Sequence, residues 1–318
     1  MAAKDKILIF AADKQIAVME HHHHHHHHHA AQAQSLNGIF ILSIILNGLF
    51  VLIEAGVGLW QNSLSLLSDA GHNLSDVFSL VLVLIAFRLA KVQRNERFTY
   101  GYRKSTILIS LLNAVILLVA VGAIVIESIH KFSEPAEVNG IAVSWTAGVG
   151  ILINGATALL LMRGQKSDLN VRGAFLHMAA DTLVSIGVVI SGIIIHCTGL
   201  TVIDPIVSLI IAAVILFSTW ELLSDSLRLA VDGIPEGVDL HEIEQLLAEN
   251  EHVKETHHIH VWAISTTETA LTAHIVIDDL SHWPQVSEQL KHTLAEHSIS
   301  HATLEPETAD SHCHNREC

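Results

Sequence analysis

A chain of 318 residues that is 50% hydrophobic, with a positive mean hydropathy, is too apolar for an ordinary soluble enzyme and reads as a membrane protein. Its net charge of −15 is uneven: residues 231–318 carry 17 of the 32 acidic side chains and only Lys254, Lys291 and Arg316 as formal cations. So acidic a part excludes nucleic acid as a partner and suits cations.

In chain order, residues 1–35 form a cytoplasmic N-terminal segment. Its run His21–His29 reads either as a purification tag or as a native segment that gathers zinc, and in neither case as part of a transport path. The N-terminus lacks the short apolar core and small-residue cleavage site of a secretory signal, so the apolar segments that follow are expected to stay in the mature protein. Six of them, near 37–60, 64–90, 104–129, 140–162, 172–197 and 203–227, reach the roughly 20 apolar residues that a helix needs to cross hydrocarbon. Residues 36–230 are thus expected to be a domain of six transmembrane helices, with lipid around it.

The connections set its orientation. Arg88, Lys91, Arg94, Arg97, Arg103 and Lys104 lie between the second and third spans, and Arg163, Lys166 and Arg172 between the fourth and fifth. The opposite loops carry only Lys131, which predicts both termini on the cytoplasmic side. After Asp232 the periodicity changes to helix, strand, strand, helix, strand, which predicts a small cytoplasmic α+β domain over 231–308. Residues 309–318 remain as a tail with His312, Cys313, His314 and Cys318, soft and borderline ligands for a captured metal ion. With Cys197 as the only other cysteine, there is no disulfide framework.

Ionisable groups within the spans are the features that need a reason, because an uncompensated charge at bilayer depth costs a few kcal/mol or more. The second span contains "SDAGHNLSD" and the fifth "FLHMAADTL". Each sets a histidine four residues before an aspartate, on one helix face: His72 with Asp76, and His177 with Asp181. If the two spans are neighbours, two imidazoles and two carboxylates converge, a tetrahedral set for Zn²⁺ whose two negative charges neutralise the ion. A local helix hydrogen bond explains one such pair but not the repetition in a second span. Asp69 shares the face of His72 and Asp76. It reads either as a group that orients a ligand or as a helix-start residue facing water.

The two HxxxD pairs, the six spans, the basic "RFTYGYRK" loop, the "DP" opening the sixth span, and "HHIHVW" with "ALTAH" in the polar part together resemble the cation diffusion facilitator family, its zinc-transporting branch most closely. The resemblance covers roughly residues 36–307. It implies a homodimer that exports Zn²⁺ from the cytoplasm in exchange for protons, with a cytoplasmic domain of ferredoxin-like fold. It also implies that His72, Asp76, His177 and Asp181 are the transport ligands. Histidine at position 72 resembles the members that favour zinc, with Cd²⁺ and similar divalent cations beside it. Some members bind a further ion through histidines in the loop before the third span; here that loop has Tyr102 and no histidine, so that site is not expected. In the resembled family, positions like His257, His260, His274, His301 and Glu307 bind a regulatory metal ion at or near the dimer interface. His241, His252, His282, His292 and His297 read instead as solvated helix or loop residues.

Two other classes fit less well. An intramembrane metalloprotease needs a HExxH helix, and "HEIEQ" at 241 lacks the second histidine and lies outside the spans. A membrane-anchored metal sensor leaves both HxxxD pairs without a task. The compact chain, with no long histidine-rich loop between the fourth and fifth spans, points to a bacterial cell membrane.

Overall fold

The computed structural model describes residues 26–60, 64–133, 140–200 and 202–310. Six long helices come first: α1 (His26–Trp60), α2 (Leu64–Ala90), α3 (Ser105–Ser133), α4 (Gly140–Leu161), α5 (Leu169–Thr198) and α6 (Ile203–Ala230). At 1.5 Å per residue, 27 residues of α2 extend about 40 Å, more than the roughly 30 Å of a hydrocarbon core. Five of the helices are long and apolar enough to cross a membrane, and α4 adds a shorter apolar stretch, Gly148–Leu161, among the described residues. The first span, Asn37–Val57, starts where the apolar run does, and α1 extends back from it to His26 through Ala30, Ala31, Gln32, Ala33 and Gln34, which favour helix. α5 begins at Leu169 because Asp168 caps it, its carboxylate accepting the Asn170 N–H at 2.7 Å.

The helices pack α1 on α2, α3 on α6, and α5 on both α4 and α6. Phe40 of α1, Leu80 and Val83 of α2, Leu161 of α4 and Met178 of α5 form one buried cluster. Val121 of α3, Ala180 of α5 and Ile215 of α6 belong to another. Some buried polar groups bond one another: Asn47 Nδ2 donates to Ser43 O and to Thr157 Oγ1, and Ser110 and Ser226 hydroxyls meet at 2.9 Å. Leu52, Val119, Leu152 and Phe217 point outward and exposed, which is costly in water and favourable in hydrocarbon. Between α2 and α3 the chain turns through Gly101 at φ +69°, where a Cβ would sit 2.9 Å from the Val92 carbonyl.

The polar part follows the predicted order: α7 (Leu240–Ala248), β1 (Val253–Ala263), β2 (Thr269–Ile277), a 3₁₀ turn (Leu280–His282), α8 (Trp283–Glu296) and β3 (Ile299–Glu307). β1 runs antiparallel to β2, and β3, reached through α8, runs parallel to it. Both helices cover one face of the three-stranded sheet. Ile243, Leu247, Val286, Leu290 and Leu294 meet Leu271, Ala273, Ile275 and Ile277 there. Alternation along β2 therefore turns Thr272 and His274 to the face without helices. β1 departs from strict alternation. Its register shifts between His257 and His260, where His258 takes φ +51°, so His257 pairs with His274 and His260 with Thr272.

The tip of the β1–β2 hairpin meets the loop-side ends of α3 and α5. Thr266 N–H donates to Thr106 Oγ1 at 3.1 Å, its hydroxyl donates to Asp168 Oδ2 at 3.1 Å, and the one nitrogen Arg103 Nη1 donates to both oxygens of Glu268 at 2.9 Å. Lys104 pairs with Asp232 nearby. Ile107, Leu229 and Ala263 close the seam with apolar contact.

Candidate metal centres

The fifth-span pair is displayed by α5 as its period requires, His177 one turn before Asp181. The neighbouring α2 brings Asp76 against them. His177 Nε2 lies 2.5 Å from Asp76 Oδ1 and 4.0 Å from Asp181 Oδ2, with Asp76 and His177 almost fully buried. A tetrahedral Zn²⁺ with bonds near 2.0 Å keeps neighbouring ligand atoms about 3.3 Å apart, midway between these two separations. Small rotamer changes would seat the ion. The 2.5 Å approach is a hydrogen bond between the two helices, which an arriving metal ion would replace. Three of the four transport ligands expected from the sequence thus meet. His72 and Asp69 lie on α2, one and two turns before Asp76, with their side chains outside the described residues. One position after His72, Asn73 donates to Glu54 Oε2 of α1 at 2.8 Å, tying the first half of α2 to its neighbour.

On the helix-free face of the cytoplasmic sheet, His257, His274 and Glu307 offer ligand atoms that all lie within 4.8 Å of one another. His274 Nδ1 is 2.5 Å from Glu307 Oε1, and His257 Nε2 is 3.3 Å from Glu307 Oε2. The latter approach lacks hydrogen-bond alignment, and both ring nitrogens of His257 are buried with no hydrogen-bond partner. A buried imidazole without a bond is the condition a metal ion relieves. Of the other residues expected there, His260 is exposed beyond the register shift, 6.0 Å from the His258 ring, and His301 stands edge-on to Tyr100 at 5.7 Å. Neither joins the cluster. His312, Cys313, His314 and Cys318 lie outside the described residues.

Two residues near this cluster escape a reading by spacing. The bulge turns His258 toward His274, ring centres 5.0 Å apart, and β3 brings Glu305 to 3.6 Å from His274 Nε2. Desolvation, and then the neighbouring His274, His257 and His260, push the His258 imidazole below its ordinary pKa, which favours the neutral form that binds metal. A strand register that no local motif encodes creates both contacts.

Comparison with known proteins bears on the same two parts. A family model described as the cation efflux transmembrane domain matches residues 40–229, and one described as the cation efflux protein cytoplasmic domain matches 235–308. The chain is 34% identical over 282 residues, 87% of its length and 90% of the relative's, to the cadmium, cobalt and zinc/H⁺-K⁺ antiporter of Bacillus subtilis. It is 34% identical to the metal cation efflux system protein CzcD of Cupriavidus metallidurans, covering 84% of this chain and 85% of that one. It is 35% identical to the zinc transporter ZitB of Escherichia coli, covering 85% and 86%.

Proposed function

We propose, since this chain belongs to the cation efflux family of multi-pass membrane transporters, that it exports Zn²⁺, with Cd²⁺ and similar divalent cations, from the cytoplasm in exchange for protons. The observation that carries the reading is the meeting of Asp76, His177 and Asp181 between two membrane-spanning helices. His72, one turn before Asp76, supplies the fourth ligand.

Metal and proton compete for these groups. Zn²⁺ binds imidazole and carboxylate only in their deprotonated forms, so the ion enters from the near-neutral cytoplasm. When the site opens to a more acidic side, protonation of the same groups expels it. Two aspartates offset the ion's charge, which keeps the loaded site close to neutral at bilayer depth. Movement of α2 and α5 relative to the other helices would expose the site to one side at a time.

The protein works as a homodimer in a bacterial cell membrane, both termini cytoplasmic and the outward Leu and Phe faces in lipid. The basic residues of the α2–α3 loop and the match to the cytoplasmic domain of cation efflux proteins support this arrangement. The His257, His274 and Glu307 cluster takes a second, regulatory Zn²⁺, supported by the two buried nitrogens of His257 that make no hydrogen bond.

Proteoliposomes under an imposed pH gradient test the transport reading. Asp76→Ala and Asp181→Ala are each expected to abolish zinc uptake while leaving folded, membrane-inserted protein. Unchanged flux in both variants would overturn the site. Running the assay with Zn²⁺, Cd²⁺, Co²⁺, Fe²⁺ and Mn²⁺ ranks the cargo, and the nitrogen-containing ligand set predicts Mn²⁺ last.

A further inference from the structure

A third histidine–carboxylate group lies at the opposite end of β2 from the hairpin tip. His252 precedes β1, Asp278 follows β2, and His282 ends the 3₁₀ turn that leads into α8. Their ligand atoms all fall within 4.8 Å of one another. His252 Nδ1 is 3.0 Å from Asp278 Oδ2, and His282 Nδ1 is 3.1 Å from Asp278 Oδ1. The two imidazoles lie over each other with centres 4.0 Å apart and planes inclined by 31°, so both direct the same nitrogen at one carboxylate.

The backbone fixes this fork without help from any ion. Asp278 N–H donates to His252 O at 3.0 Å, which continues the β1–β2 ladder past its last residues. His252 N–H donates to Asn250 Oδ1 at 3.1 Å. The Asp279 carboxylate caps the 3₁₀ turn by accepting Ser281 N–H at 2.8 Å, and His282 N–H donates to Asp279 O at 3.1 Å. Three ligands from three consecutive pieces of structure are therefore held in place in advance, which lowers the entropy lost on binding.

From this geometry we infer that His252, Asp278 and His282 form a separate binding site for a divalent transition-metal ion such as Zn²⁺, outside both the transport pair and the His257 cluster. The separations of 3.0 and 3.1 Å approach the roughly 3.3 Å edge of a tetrahedral zinc site, whose fourth position is left to water. Glu251 stands 3.8 Å from the far nitrogen of His252, where a carboxylate orients a metal-bound imidazole. An ion here ties the start of β1 to the start of α8.

Hydrogen exchange read by mass spectrometry on the full chain, with and without added Zn²⁺, tests the site. Zinc is expected to slow exchange in residues 250–253 and 278–283. His252→Ala and, separately, the milder His282→Gln are expected to raise the zinc midpoint of that protection by more than about tenfold. Protection of residues 256–258 and 274, read in the same samples, is expected to persist. Both variants retain the His21–His29 run, so its zinc cancels in the comparison. Absence of zinc-dependent protection at 250–253 and 278–283, or protection that survives both substitutions together, would overturn the inference. Failure of transport in proteoliposomes would leave this result untouched. If a variant misfolds, anomalous scattering at the zinc edge from the unaltered protein decides: a peak between the three side chains supports the site, and its absence overturns it.

Discussion

Asp168 shows how one residue can serve a helix and an interface together. It caps α5, accepts the Thr266 hydroxyl, and lies buried in the seam between the membrane helices and the cytoplasmic domain. Burial outweighs these hydrogen bonds and raises its carboxyl above the ordinary value of 3.8. A carboxyl raised in the folded state binds more protons there than in the unfolded chain, so its contribution to stability is complete below about 3.8 and fades as pH rises through the raised value. Asp168→Asn keeps an acceptor for Asn170 N–H and removes the titration. The melting temperature of the variant is therefore expected to be flatter with pH than that of the parent in the range above 3.8, as differential scanning of both proteins over pH 4–8 will show. A parallel dependence in the two proteins would contradict this account.

Helices were the most legible elements, since an unbroken apolar run of roughly 20 residues can satisfy its own backbone in hydrocarbon only by coiling into a helix. The spacing of four in "HNLSD" and "HMAAD" likewise placed each pair on one helix face without tertiary information. That α2 and α5 face one another is a property of packing, and the sequence indicated it only through the family resemblance. Strand elements hid more. His260 looked equivalent to His257, but a register shift separates them, and His252 and His282 looked solvated because their meeting depends on where β2 ends. Loops between helices are legible where a backbone conformation demands a residue type. Gly101 sits at φ +69° against the Val92 carbonyl, so Gly101→Val is expected to destabilise the α2–α3 connection by about 1–2 kcal/mol. A lower melting temperature with unchanged zinc selectivity would be the signature; an unchanged melting temperature would count against it.

At the scale of the whole molecule, two units of opposite solvent preference are joined through a small seam. Most of its polar bonds pass through the hairpin tip, Thr266 to Glu268, onto α3 and the start of α5. The Arg103–Glu268 pair is partly exposed, so its contribution is modest, of the order of 1 kcal/mol even with both carboxylate oxygens engaged. Its value lies in fixing how the units meet. Arg103→Glu and Glu268→Arg are each expected to lower the melting temperature and the zinc flux, and the double exchange to recover part of both. A double-mutant cycle by calorimetry with zero coupling would show that the pair does no joining.

The bulge in β1 has a consequence for what substitutions and length changes the domain tolerates. Three positions separate His257 from His260, and in a regular strand an odd spacing sends two side chains to opposite faces. The extra residue restores them to the same side and leaves Val261 and Ala263 buried. Parity in this strand is thus set by length as much as by composition. Loss of one residue at 258 or 259, whatever residue remains, makes the spacing even, so a regular ladder keeps His257 opposite His274 with no bulge at all, whereas loss of both leaves an odd spacing and would turn His257 toward the helix-covered face.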